Sequence, residues 1–258
     1  MTEMIGTLAQ LAGIGETLLW TGFVVLLRVG AAMALLPAFG ELVVPQRIRL
    51  VLALAFTAVI SPAVAADIPP MDQGFWAVFL TETAAGLALG AALRLLVHAL
   101  QIAGAIAAQA TSLAQLFAGA GAEPQPAIGH LLTISGLALA MAADLHVSCA
   151  GYFILSYDIL PVGRLPDAAD MAGWGLAQVT RAFATGFSLA APFVIASFLY
   201  TLALGVINRA MPQLMVAFVG APALAAGGLV LLALSAPLAL AVWLAALNGF
   251  LAAPFAVP

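Results

Sequence analysis

Charge is what this chain has least of. Only 7% of its 258 residues are charged, seven basic and eleven acidic, while 65% are hydrophobic. A soluble domain carries about 25% charged residues. A globule of this size would have too little charge to solvate its surface, so a soluble fold is excluded and the chain reads as an integral membrane protein. Lysine is absent altogether: the basic residues are Arg28, Arg47, Arg49, Arg94, Arg164, Arg181 and Arg209. So sparse a basic set, at net charge −4, excludes a nucleic-acid footprint, which needs clustered positive charge. A single cysteine, Cys149, excludes an intramolecular disulfide framework. No basic residue precedes Arg28, and Glu3 and Glu16 stand before the first apolar run. A signal peptide needs a positive start, so the first span reads as part of the mature protein.

Chemistry-bearing motifs are missing too. Neither a P-loop, a Gly-x-Ser-x-Gly elbow nor a helical His-Glu-x-x-His is present. His146 and Cys149 lie three apart with His98 and His130 elsewhere, short of the three or four convergent ligands a metal needs. Neither catalysis nor a cofactor is expected.

What is abundant is apolar run. A spanning helix needs about 20 such residues. The candidates are Thr17–Phe39, Leu50–Ala66, Phe75–Gln101, Ile128–Leu155, Ala182–Ile207 and a stretch from Leu214 to about Ala252. The last would reach about 58 Å as one helix against a hydrocarbon core of ~30 Å, so a break is expected at Pro222, Gly227, Gly228 or Pro237. Whether Ile102–Ala118, rich in Ala and carrying Gln109 and Gln115, also spans is left open by its periodicity. The expected fold is all-α: a polytopic membrane protein of six to seven nominal hydrophobic helices, several broken by Pro or Gly, in one domain over 1–258. Arg47 and Arg49 follow the first span and Arg209 the fifth, which places both loops in the cytoplasm and both termini outside.

Within the third span Glu82, Gly86, Gly90, Arg94 and His98 recur every fourth residue, a stripe of small and polar groups on one helix face. Gly86-Leu-Ala-Leu-Gly90 lets another backbone approach closely, either in a partner protein or within this chain. A similar stripe runs Gly136, Ala140, Asp144, Ser148. Charge at mid-bilayer costs about 2.5–3.5 kcal/mol, so Arg28, Glu82, Arg94 and Asp144 imply a polar surface turned away from lipid. Glu82 and Arg94, about 18 Å apart on one helix, do not pair. Proton relay through Glu82, Asp144 and His146 is the functional reading and buried structural pairing the plainer one; the latter is favoured. Between Gln109 and Ile128, Gly119, Gly121, Pro124 and Pro126 should end any helix soon after Phe117. Such a segment either plugs a pore or is a plain turn, and composition alone favours the turn.

Read in order, these segments resemble the FliR family of bacterial flagellar and type III secretion export-gate proteins. The likeness runs from about Leu26 to Leu232. It rests on Arg28-Val-Gly30, Pro37-Ala-Phe-Gly40, Pro45-Gln-Arg47-Ile-Arg49-Leu and Ser61-Pro62, then Glu82, Gly86, Gly90 and Gly104. Leu160-Pro161-Val162-Gly163 matches the exit from the fourth span. The most specific block is Leu204-Gly205-Val-Ile-Asn208-Arg209-Ala-Met-Pro212-Gln213-Leu214, continuing to Val219-Gly220-Ala-Pro222. The resemblance implies a subunit of the flagellar type III protein export gate in the bacterial inner membrane, at the flagellar basal body. Its implied partners are FliP-type and FliQ-type membrane subunits, a FlhB-type switch protein and the wider export apparatus. Its implied cargo is unfolded flagellar protein, and it catalyses no reaction. The resemblance also implies that the loop after the third hydrophobic segment is a pore plug, with Leu113, Leu116 and Phe117 as its apolar closure. Arg28, Glu82, Gly86, Gly90, Arg94, Gly104 and Asp144 are then assembly and packing residues. The equivalent subunit of a virulence secretion system, and an ion-coupled secondary transporter, are the alternatives.

Overall fold

A computed structural model describes residues 2–41, 43–70, 74–111, 127–164, 166–211 and 216–255. Among them there is helix and no strand. The order is α1 (Thr2–Met33), α2 (Gln46–Val64) with a 3₁₀ turn at Ala65–Asp67, α3 (Phe75–Thr111), α4 (Ala127–Ala142), α5 (Leu145–Ile159), α6 (Ala168–Ala210) and α7 (Val216–Ala252). Five helices are long and apolar enough to cross a membrane, and the α4–α5 pair, bent by 77°, would make a sixth span.

Two boundaries depart from the sequence reading. The C-terminal stretch does not break: α7 runs unbroken for 37 residues through Gly227, Gly228 and Pro237. Proline removes one helical hydrogen bond, whereas a break frees several carbonyls that an apolar setting cannot satisfy, so the helix persists. Ile102–Thr111, whose part periodicity left open, is the continuation of α3. At Ile128–Leu155, expected as one span, the span is bent: two helices meet at Asp144. That residue adopts the left-handed conformation (φ 57°, ψ 41°) and turns the chain. The stripe Gly136, Ala140, Asp144, Ser148 is therefore split between two helix axes.

The chain divides into two compact units, one holding the residues up to Arg94 with Asp144–Ala177 and those from Gly249 on, the other Leu95–Ala143 and Gln178–Asn248. In the first, α1 and α3 cross where Gly86 and Gly90 meet the α1 backbone. A Cβ at Gly86 would land on the Arg28 carbonyl oxygen, and one at Gly90 would lie 2.7 Å from that of Ala32. The Gly-xxx-Gly pair thus serves packing inside the chain, because only a hydrogen at Cα permits that approach. Phe56 bridges Phe39 and Phe153 edge-on (5.8 and 6.5 Å between centroids). The Tyr152 hydroxyl donates to the Leu89 carbonyl at 3.2 Å.

In the second unit the close approach is between α3 and α4, at Gly104 and Gly129. A Cβ on Gly104 would occupy the place of the Gly129 Cα. Trp243 of α7 is fully buried beside Gly136, and its indole N–H donates to the Leu96 carbonyl at 2.7 Å. A buried indole N–H needs such an acceptor.

Candidate functional site

Three stretches distant in sequence converge on Arg28 in the first unit. α1 carries the arginine, α3 supplies Glu82, and the end of α5 supplies Ser156, Tyr157 and Leu160. Arg28 is wholly buried and Glu82 is 1% exposed. The pair is bidentate: Nε donates to Oε2 at 2.7 Å and Nη2 to Oε1 at 3.0 Å. Nη1 donates to the Ser156 hydroxyl at 3.0 Å, which itself donates to the Phe153 carbonyl at 2.6 Å. Nη2 also donates to the Leu160 carbonyl at 2.7 Å, and the guanidinium carbon lies 3.8 Å above the Tyr157 ring.

Why the arginine suits this place follows from the local chain. α5 ends at Ile159, so the Leu160 carbonyl lies among those with no partner along the helix. Pro161 cannot continue the helix, and Gly163 takes a left-handed turn (φ 76°) that leads the chain away. A cation at a helix C-terminus also answers the partial negative charge there. Planar and forked, a guanidinium can bind a carboxylate, a hydroxyl and a carbonyl together, which an ammonium cannot do with that geometry. The cluster is a closed polar joint of α1, α3 and α5. Both Glu82 oxygens are held by Arg28.

Arg94 finds its partner outside its own helix, as its distance from Glu82 requires. It pairs with Glu41 (Nη2 to Oε2 at 3.4 Å), in the connection between α1 and α2, and both side chains remain about a quarter exposed. Arg49 donates to the Glu41 carbonyl at 3.0 Å and the Val44 carbonyl at 3.3 Å, closing the same connection. Glu41, Ser156 and Tyr157 were missed by sequence reasoning. A signal for Glu41 existed: it is the only carboxylate between Glu16 and Asp67, in a stretch with three arginines.

The other predicted residues distribute as follows. Pro37 and Gly40 shape the exit from α1, where the Gly40 N–H donates to the Leu36 carbonyl at 2.6 Å. A Cβ there would lie within 2.9 Å of three carbonyl oxygens. Pro45 precedes α2, and Arg47 is exposed. Asp144 and His146 are exposed, so the structure does not bring them to Glu82 and assembles no relay from the three. Asp144 thus lies on this chain's own surface, at the bend between the two helices. Gly205, Asn208 and Arg209 lie exposed at the end of α6. Gly220 accepts the Tyr200 hydroxyl at 2.8 Å, and Pro222 falls within α7. Leu113, Leu116, Phe117, Pro212 and Gln213 lie outside the described residues.

A recess of about 270 Å³ in the second unit is lined by Phe193, Leu224, Leu231 and Leu234 with three hydroxyls, those of Thr111, Ser197 and Tyr200. Each hydroxyl donates to a carbonyl of this chain and most of the remaining lining is apolar, so the recess is suited to apolar groups. Among the described residues no three His, Cys, Asp or Glu side chains stand close enough to hold a metal ion.

Sequence comparison supplies an independent line. Residues 19–250 match the family described as bacterial export proteins, family 1. The chain is 34% identical over 213 residues to the flagellar biosynthetic protein FliR of Caulobacter vibrioides, covering 81% of this chain and 85% of that one. It is 29% identical over 221 residues to the protein of the same name from Escherichia coli (83% of each). With that of Aquifex aeolicus the identity is 30% over 223 residues, 82% and 83% of the two chains.

Proposed function

The chain belongs to bacterial export protein family 1 and is a membrane subunit of the flagellar export apparatus; from that premise we propose that it forms, with FliP-type and FliQ-type subunits, the channel through which unfolded flagellar proteins leave the cell. In this reading it sits in the bacterial inner membrane at the basal body, next to a FlhB-type switch protein. Residues 1–258 act as one membrane domain, to whose two units α3, α6 and α7 each contribute residues.

The observation that carries this is the surface of α6 and α7. At 43 and 37 residues they extend about 64 and 55 Å, roughly twice a hydrocarbon core. Yet only 11% of the spanning window of each is buried by this chain, against 50% for α3. Lipid can cover about half of such a length. The exposed apolar side chains of α6 run from Leu176 to Ile207, about 46 Å, so those beyond one hydrocarbon core would face water unless other protein covers them. A subunit enclosed by partner helices satisfies this requirement, and a free-standing bundle does not. The flagellar name shared by the relatives favours flagellar over virulence service.

Affinity purification of the tagged chain from mild detergent is expected to recover P- and Q-type subunits in fixed proportion. A stable monomer that moves a small solute in proteoliposomes would overturn the proposal. By the same reading Leu113, Leu116 and Phe117 close the resting channel. Deleting 113–119 should leave the complex intact and raise its resting ion conductance, and an unchanged conductance removes these residues from the closure.

A further inference from the structure

Large apolar side chains stand on the exposed surface of three helices of the second unit. Leu131 and Ile134 of α4, Phe187 of α6, and Leu234 and Leu238 of α7 are each more than half exposed. Exposed hydroxyls among them are satisfied locally. Ser188 donates to the Ala184 carbonyl and Thr201 to the Ser197 carbonyl, both at 2.8 Å. A hydroxyl turned back on its own helix needs no partner from outside.

One face of α3 differs. His98, Gln101, Ala105 and Gln109 follow at spacings of three and four, so they share a face about 16 Å long. Gln101 and Gln109 are exposed, and His98 and Ala105 are half-buried. Leu100, Ala103 and Ala107, on the opposite side of the helix, are buried. His98 Nδ1 donates to Gln101 Oε1 at 2.7 Å, which leaves the imidazole Nε2 and the Gln101 amide N–H groups open. Gln109 has no hydrogen-bond partner among the described residues. A carboxamide brings two donors and an acceptor that apolar surroundings cannot satisfy, so this face calls for water or another polar chain.

We propose that this face of α3 lines the conduit and is a surface along which the unfolded exported polypeptide passes. The inference rests on the channel reading, and the face leads at Thr111 toward the residues to which that reading gives the closure. An extended polypeptide offers a donor and an acceptor at nearly every residue. Open amides and an imidazole can exchange hydrogen bonds with any such backbone, whatever its sequence. Between them stands only Ala105, too short to grip a side chain. Passage needs contact that is favourable yet weak, and this face supplies it.

The test uses cells producing the whole export apparatus and a flagellar export substrate fused to a domain that cannot unfold, so that transport stalls. A photoreactive phenylalanine analogue replaces Gln101, Gln109 or, for comparison, Leu234, all exposed. The expected result is about fivefold more adduct with the stalled substrate from 101 and 109 than from 234. Adducts at 101 and 109 confined to membrane subunits or lipid, while the substrate attaches elsewhere in the complex, overturn the lining and leave the channel reading standing. A substrate that never associates with the complex overturns both. A second readout avoids the bulky analogue. Cys149 is fully buried, so a hydrophilic maleimide selects the introduced thiol of Q101C or Q109C. Stalled substrate should slow that labelling about tenfold, and an unchanged rate with substrate held in the complex overturns the proposal.

Discussion

Truncating Arg28 to Ala would strand the Glu82 carboxylate and the Leu160 carbonyl in a dry interior. Breaking one side of such a buried pair costs about 3–5 kcal/mol. Replacing both partners by apolar groups of similar size, Arg28→Met with Glu82→Leu, should recover much of that loss, because it removes the stranded charge as well as the bond. Thermal unfolding in detergent of the two variants and the unaltered chain checks this; a double variant no more stable than Arg28→Ala would show that the cluster does more than satisfy charge. Sequence reading recognised both residues as charges kept from lipid, yet could not join them. They lie 54 residues apart, and their third element, the end of α5, is more than 70 residues farther on. Helical spacing reports neighbours on one helix, and here the neighbours belong to three.

At the scale of elements, the bend between α4 and α5 rests on one residue. Asp144 tolerates the left-handed conformation because its short polar side chain crowds the backbone little, and glycine would tolerate it better. Asp144→Gly should therefore leave stability nearly unchanged, while β-branched Asp144→Val should cost about 1–2 kcal/mol. Melting temperatures of the two variants decide it, and equal values would mean that the bend does not depend on this conformation. The helices themselves were legible, since long apolar runs between Pro- and Gly-bearing connections have few other solutions. Pro45 and the Pro161–Gly163 turn marked true ends. Pro237 and the Gly227–Gly228 pair marked none, and Asp144, with neither glycine nor proline beside it, marked a true one. A breaker states a local preference, and in an apolar environment the need to satisfy every backbone group outweighs it. The glycine spacing of α3 was legible as a close approach, while its partner, α1, was not, because spacing describes only one side of a contact.

On the scale of the whole molecule, scarcity of charge has two consequences. The few charges inside the first unit are paired, Arg28 with Glu82 in a closed joint and Arg94 with Glu41 partly exposed. The long helices α6 and α7 present apolar surface that their own chain leaves uncovered. Gly205, Asn208 and Arg209 of the signature block lie exposed at the end of α6, where the sequence placed Gly205 in the fifth span and Asn208 and Arg209 in the loop after it. The central claim is that partner protein covers this surface. A photoreactive phenylalanine analogue at Phe187 or Phe198, both more than 60% exposed on α6, tests it most directly in cells producing the whole export apparatus. The account predicts protein adducts of defined mass containing P- or Q-type subunits. Irradiation that leaves the chain unattached to protein at both positions would contradict it.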